Sequence, residues 1–199
     1  KQKAKATIGL LKKLVIGYSG SFMETHELDL LPTLARRIHD MYGDKVHFLM
    51  VGSPNSQILR NVRYLNLECC FSFVGSVFHD KLPMYINAMD IGLALYDPQR
   101  VAGPPYKVYE YMACAIPAIT TETVHSRKVI RDGINGFLVK MNKSEDILSK
   151  ISLLIENSNM RHEIGMKARE TALKYSWINE AKRIMKMFKA MCSSCNIFK

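Results

Sequence analysis

Gly103-Pro104-Pro105-Tyr106-Lys107-Val108-Tyr109-Glu110-Tyr111-Met112-Ala113-Cys114-Ala115-Ile116-Pro117 is the stretch from which the rest of the chain can be ordered. A Gly/Pro-rich loop feeds a short apolar helix over 107–114, with Lys107 at its start and Glu110 one turn in. Pro117 then opens a β-branched run over 118–121. A loop entering a helix is a ready anion site, because unpaired backbone N–H groups and the positive dipole end leave the loop together. A carboxylate one turn later cannot hold phosphate, but it can accept hydrogen bonds from sugar or ribose hydroxyls. Phosphate donors beside a hydroxyl acceptor suggest a nucleotide or nucleotide-sugar ligand.

Strand and helix signals alternate on both sides of this stretch. Apolar runs at 14–18, 46–51, 70–74, 91–95, 118–121 and 136–139 read as strands. Helical spacing covers 28–41, a weaker 57–64, 80–89, 107–114, and then 144–155, 160–175 and 177–191. Asp80 and Ser144 are expected to cap two of these helices, with Pro83 tolerated in a first turn. Near-continuous apolar strands separated by helices argue for a Rossmann-like parallel sheet covered by helices on both faces, with a helical C-terminal end. Ligands of such sheets settle beyond the carboxyl ends of the strands. That rule gathers the loops 17–25, 74–78, 96–107 and 121–126 around one cleft.

The quoted stretch resembles the donor-binding segment of retaining GT-B glycosyltransferases of the family four type, glycosyl transferases group 1, which reads roughly Pro-x-Lys-x-x-Glu-Tyr-Met-Ala-x-Gly-x-Pro. Here it runs from Pro105 to Pro117, with Ala115 in place of the late glycine. Phe73-Val74-Gly75, Lys81-Leu82-Pro83-Met84-Tyr85 and Ala88-Met89-Asp90-Ile91 are similar to the family's stretch before the donor loop. The run 132–139 and Tyr175-Ser176-Trp177 are similar to the family's stretch after that loop. The resemblance covers roughly 14–190 and implies the C-terminal half of a GT-B fold. It implies transfer of a hexosyl unit from a UDP- or GDP-sugar to a saccharide or lipid-linked acceptor, with retention and without a metal or other cofactor. No Asp-x-Asp motif is present to hold a divalent ion.

The same resemblance assigns roles. Lys107 and the backbone of Gly103 and Pro104, with Tyr106 beside them, would meet the diphosphate charge, and Glu110 would accept the ribose hydroxyls. Lys107 and Glu110 are the candidate catalytic pair. A solvated helix-start lysine and a capping glutamate are the plain alternatives. Val74, Gly75 and Ser76 match the loop that holds the base, although a simple strand exit would also place a glycine there. Tyr111, Met112 and Ala113 read as helix packing. Two departures stand out. Ala102 replaces the glutamate that binds the transferred sugar, and Gly20-Ser21 lacks the arginine of the first loop. His26 stands at the position of the loop lysine, where either a phosphate contact or a surface histidine fits.

Composition bounds the rest. A chain of 199 residues, 48% hydrophobic and 23% charged, fits one domain with a full core, here with a basic lead-in at 1–13 and a tail at 192–199. It opens on Lys1 rather than Met, which reads as a chain cut from something longer, and the resemblance puts an acceptor-binding N-terminal domain outside it. The net charge of +10 gathers at the two ends and favours anionic partners or a solvated basic surface. Aromatics do not interleave with the basic clusters, so nucleic acid is set aside. No apolar run is long enough to span a membrane. Trp177, Ala181, Ile184, Met185, Phe188 and Met191 share one side of the last helix opposite basic residues. That pattern points to packing, with peripheral contact on the inner face of a membrane as the alternative. Five cysteines form no disulfide framework and fit a reducing cytoplasm; Cys69 and Cys70 read as buried thiols, and a metal at Cys192 and Cys195 is set aside. A non-catalytic nucleotide-sugar-binding module, supported by Ala102, and a GT-B sugar-nucleotide epimerase remain as alternatives.

Overall fold

Each apolar run is followed by a helix that returns the chain to the same edge, so all six strands run parallel. A computed structural model of the chain describes residues 1–22, 28–99, 106–140 and 143–194. The strands are β1 (Leu14–Ser19), β2 (Val46–Val51), β3 (Phe71–Gly75), β4 (Ile91–Ala94), β5 (Ala118–Thr121) and β6 (Phe137–Val139). Their order across the sheet is β3-β2-β1-β4-β5-β6. The winding reverses between β1 and β4, and the crevice beyond the carboxyl ends opens at such a reversal.

The helices are α1 (Gln2–Thr7), α2 (Leu31–Tyr42), α3 (Ser56–Tyr64), α4 (Leu82–Ala88), α5 (Tyr106–Ala113), α6 (Ser126–Val129), α7 (Ser144–Glu156), α8 (Ser158–Lys174) and α9 (Trp177–Ser194). Strand side chains alternate between the two faces of the sheet, and both faces are covered. Ile16, Phe48 and Met50 pack under α2, α3 and α7, against Leu34, Ile58 and Ile151. Val15, Leu49 and Val51 pack under α4, α5 and α8, against Ile86, Met112 and Ala168. Each fully buried Val, Leu or Ile contributes about 1.5–3 kcal/mol of transfer free energy. At the reversal itself the sheet is crowded. A Cβ on Gly17 would lie 2.1 Å from Met89 Sδ, and one on Gly92 would lie 2.5 Å from the Tyr111 ring.

Several local expectations are corrected. Neither Asp80 nor Ser144 caps a helix: α4 starts from Lys81 and α7 from Lys143, both without a side-chain cap. The 28–41 segment opens as a 3-10 turn, Leu28–Leu30, before α2. Tyr111 and Met112 are buried as expected, but Ala113 and Cys69 are exposed. The apolar side of α9 finds no cover among the described residues, with Trp177 85% and Phe188 58% exposed. No helix among the described residues is long and apolar enough to cross a membrane.

Part of the basic lead-in is folded into the body. Lys5, on α1, pairs with Asp90 and donates to the Lys13 carbonyl at 2.7 Å. Asp90 Oδ2 also accepts the Val15 N–H at 2.8 Å, and Lys1 reaches Asp90 Oδ1 at 3.3 Å. This buried charge cluster closes the amino ends of β1 and β4.

Candidate functional site

Three neighbouring strands leave the sheet through a Gly-Ser pair: Gly20-Ser21 after β1, Gly52-Ser53 after β2, and Gly75-Ser76 closing β3. The exits are stitched together by backbone hydrogen bonds. Gly20 N–H donates to Val51 O at 2.9 Å, and Gly52 N–H to Gly75 O at 2.8 Å. The approach is too close for a side chain, since a Cβ on Gly52 would fall 2.0 Å from the Gly20 carbonyl oxygen, and φ there is +133°. The serine hydroxyls are thereby brought to one rim, with Ser53 Oγ and Ser76 Oγ 2.9 Å apart.

These exits border a cleft of about 370 Å³ lined by Gly20, Ser21, Phe22, Ser53, Ser76 and His79, among others. Bare backbone, hydroxyls and an imidazole stand there beside the apolar Phe22, Val77 and Leu82, a mixture suited to a ligand with both a flat apolar part and hydrogen-bonding groups.

α5 contributes the charge. Lys107 is only 9% exposed, which overturns the picture of a solvated helix-start lysine. Its Nζ donates to the Tyr18 hydroxyl at 2.9 Å and lies 4.1 Å from the Tyr18 ring centroid and 5.1 Å from that of Tyr96. Such faces attract a cation without neutralising it. A Cβ on Gly20 would sit 3.1 Å from Lys107 Nζ, so the ammonium rests directly against the first strand exit. Tyr18 in turn donates to the Ser21 carbonyl, so phenol and lysine together fix this loop. Burial pushes the Lys107 ammonium down to about 7, with Glu110 pulling the other way. Burial holds the Tyr18 and Tyr96 phenols well above their ordinary value.

Glu110 lies one turn beyond Lys107 on α5 and is half-buried. Burial raises its carboxyl, while the nearby positive charge of His79 and Lys107 lowers it. Among the described residues its carboxylate has no hydrogen bond or salt bridge. Glu110, His79 and Lys107 therefore form one electrostatic group beside the cleft.

The expected site residues divide accordingly. Gly20, Ser21 and Ser76 line the cleft, Lys107 abuts it at Gly20, and Glu110 is coupled to it through His79. Gly75 shapes the rim by accepting the Gly52 N–H. Val74 is half-buried and packs against the core on the α4/α5 side. Tyr106 is 66% exposed and borders a separate hollow with Tyr109, Tyr175, Trp177 and Glu180. His26, Ala102, Gly103 and Pro104 lie outside the described residues. The 121–126 loop is occupied with itself, Ser126 Oγ donating to Thr121 O at 2.9 Å and accepting from Thr123 N at 2.7 Å. Tyr18, Gly52, Ser53 and His79 were not anticipated. The recurrence of Gly-Ser after three successive apolar runs was the available signal for Gly52 and Ser53; nothing local distinguishes Tyr18 or His79.

The sequence profile of the family described as glycosyl transferases group 1 matches residues 13–157. An uncharacterized glycosyltransferase of Methanocaldococcus jannaschii is 35% identical over 80 residues, covering 40% of this chain and 23% of the relative. The phosphatidyl-myo-inositol mannosyltransferase of Mycobacterium leprae is 24% identical over 153 residues, covering 76% of this chain and 40% of the relative. The matched part of the chain thus spans well under half of these relatives. Among solved structures, Anabaena HepE in complex with UDP and glucose superimposes with a TM-score of 0.81 at 18% identity, covering 95% of this chain and 52% of HepE. The C-terminal domain of a glycosyl transferase group 1 protein, LpcC of Francisella tularensis, superimposes with a TM-score of 0.76 at 22% identity, covering 88% of this chain and 93% of that domain. The profile match extends over most of the sheet and its helices, and the chain belongs to the glycosyl transferases group 1 family, with the fold of the C-terminal half of a GT-B glycosyltransferase.

Proposed function

We propose that this chain is the donor-binding half of a retaining glycosyltransferase. It would move a hexosyl unit from a UDP- or GDP-sugar to a saccharide or lipid-linked acceptor, in polysaccharide or glycolipid synthesis. The observation that carries this reading is the Lys107 ammonium, buried against Gly20 at the rim of the strand-exit cleft. Cleaving a glycosidic bond to a nucleoside diphosphate builds negative charge on the departing phosphates, and preorganised donors lower that barrier. A lysine poised near neutrality gains its full charge as the diphosphate arrives, because a nearby anion favours the protonated form. The Ser21 amide and hydroxyl add donors without a metal. Glu110 takes the ribose hydroxyls, and the loop at Val74, Gly75 and Ser76 faces the base.

Support also comes from HepE, which is described in complex with UDP and glucose, and from the mannosyltransferase of M. leprae. The acceptor site belongs on an N-terminal domain, and the setting is the cytoplasm or the inner face of its membrane. The half by itself binds nucleotide weakly and turns over little.

Calorimetric titration with UDP, GDP, ADP and their sugars tests this. One uridine or guanosine diphosphate sugar is expected to bind more tightly than inorganic phosphate; equal or weaker binding of all of them ends the donor reading. Ala102, in place of a sugar-binding glutamate, favours a second reading as a non-catalytic binding module. Ala102→Glu in the full-length protein separates the two: a gain in transfer supports an enzyme, and unchanged inactivity supports the module.

A further inference from the structure

A second set of chemistry-bearing side chains meets at the opposite ends of the strands. His39 stands in the last turn of α2. The chain then reverses at Gly43, whose φ is +57°, and the 3-10 turn Gly43–Lys45 brings Asp44 back toward the helix end before entering β2. Cys69 and Cys70 end another 3-10 turn, Glu68–Cys70, which feeds β3. The three segments converge. Cys70 Sγ lies 3.2 Å from His39 Nδ1 and 3.5 Å from Cys69 Sγ. One donor atom each from His39, Asp44 and Cys70 falls within 4.8 Å of the others.

These separations have a chemical meaning. Zinc bonds of about 2.3 Å to sulfur and about 2.0 Å to nitrogen, arranged tetrahedrally, set edges of about 3.8 Å between two sulfurs and about 3.5 Å between sulfur and nitrogen. The Cys70–His39 spacing lies a few tenths of an ångström inside the sulfur–nitrogen edge, and Asp44 completes the group within 4.8 Å, a separation that side-chain rotation can shorten. A disulfide would need its sulfurs at about 2.05 Å, far closer than found. A thiol–imidazole hydrogen bond accounts for Cys70 and His39, but it does not involve the Asp44 carboxylate that completes the group.

We infer that His39, Asp44 and Cys70 form a three-ligand site for a thiophilic divalent cation of the zinc type, with its fourth position open to solvent. Imidazole and thiolate are the ligands such an ion selects over hard oxygen-only sets. Cys70 is buried, His39 half-buried and Asp44 exposed, so the set is anchored in the core and open on one side for entry. Lys13 Nζ donates to the Asp44 carbonyl and supplies positive charge beside an anion-rich ligand set. The bound ion would staple the end of α2 to the entries of β2 and β3. This role stands independently of the donor cleft.

Cobalt(II) titration of the chelator-treated chain under a non-coordinating reductant tests the site, with native mass spectrometry for stoichiometry. One ion per chain is expected, with sulfur-to-cobalt charge-transfer absorption that zinc displaces. Cys70→Ser should abolish that absorption, and Cys69→Ser should leave it in place. His39→Asn and Asp44→Asn, nearer the surface and checked for folding by circular dichroism, should weaken binding. Loss of a direct ligand should exceed the roughly 10–100-fold effect typical of outer-shell changes. Joint replacement of Cys192 and Cys195 by serine should change nothing. Absence of the charge-transfer band in the parent chain, its persistence without Cys70, or its loss on removing Cys192 and Cys195 would each overturn the assignment.

Discussion

Lys5 and Lys107 are hidden to the same degree, 8% and 9% exposed, at opposite ends of one sheet. Lys5 is matched by a carboxylate from the chain itself: Asp90 accepts its ammonium, and Lys13 contributes a carbonyl. Among the described residues Lys107 meets a phenol oxygen and two aromatic faces and has no salt bridge, the Glu110 carboxylate acting on it only through space. A buried ammonium with a built-in counter-ion is part of the structure. One without a counter-ion is held in a higher-energy state that an arriving anion relieves. The amino ends of the strands are therefore closed by internal pairing, and the carboxyl ends keep an unneutralised ammonium beside bare glycine backbone.

Removing the counter-ion from the closed end should break this contrast most severely. Asp90→Ala leaves Lys5 buried and uncompensated, and urea denaturation should show a loss of about 3–5 kcal/mol. Replacing the lysine at the open end should do the reverse. Lys107→Met keeps the stem's packing and removes the burial cost of the charge, so unfolding should be unchanged or slightly harder. Its affinity for UDP- or GDP-sugar should fall by roughly ten- to a hundredfold, the loss of one charge-assisted contact of about 1.5–3 kcal/mol. A variant that loses stability without losing affinity would place Lys107 with Lys5 as a structural residue.

The finest probe is pH. With the free ammonium titrating at about 7, nucleotide-sugar binding must be accompanied by proton uptake above that pH. Affinity should decline about tenfold between pH 6 and pH 8, as the protonated fraction falls from about nine-tenths to about one-tenth. The diphosphate diester of a nucleotide sugar does not itself titrate there. Stability moves the other way. Between about 7 and the ordinary lysine value of 10.5 the unfolded chain holds a proton that the native chain has released. The Lys107 contribution to stability therefore grows as pH rises through that window and is lost as pH falls toward 7. Calorimetry at several pH values in buffers of different ionisation enthalpy checks both signs.

Much of this was legible from residue order. Apolar runs separated by helical spacing located all six strands within a residue or two, because strands buried on both faces must be apolar throughout. The Lys107–Glu110 pair could be singled out because the loop, helix start and one-turn spacing are all local. Asp80 and Ser144 misled because capping depends on where the backbone turns, and the helices start one or two residues from the expected positions. The apolar side of α9 obeys helical periodicity but has no neighbour in the described residues to pack on. Periodicity specifies which side is apolar and says nothing of what covers it.

Local pattern alone determined the alternation of strands and helices, the parallel sheet, and the choice of Lys107 and Glu110. Only the tertiary structure decided that Lys107 is buried against Gly20, that Asp90 neutralises Lys5, and that Gly52 and Ser53 join the rim. It alone also brought His39, Asp44 and Cys70 together. The reason is physical: propensity and periodicity act over neighbouring residues, whereas desolvation and charge pairing depend on groups that chain order leaves far apart, 85 positions in the case of Lys5 and Asp90.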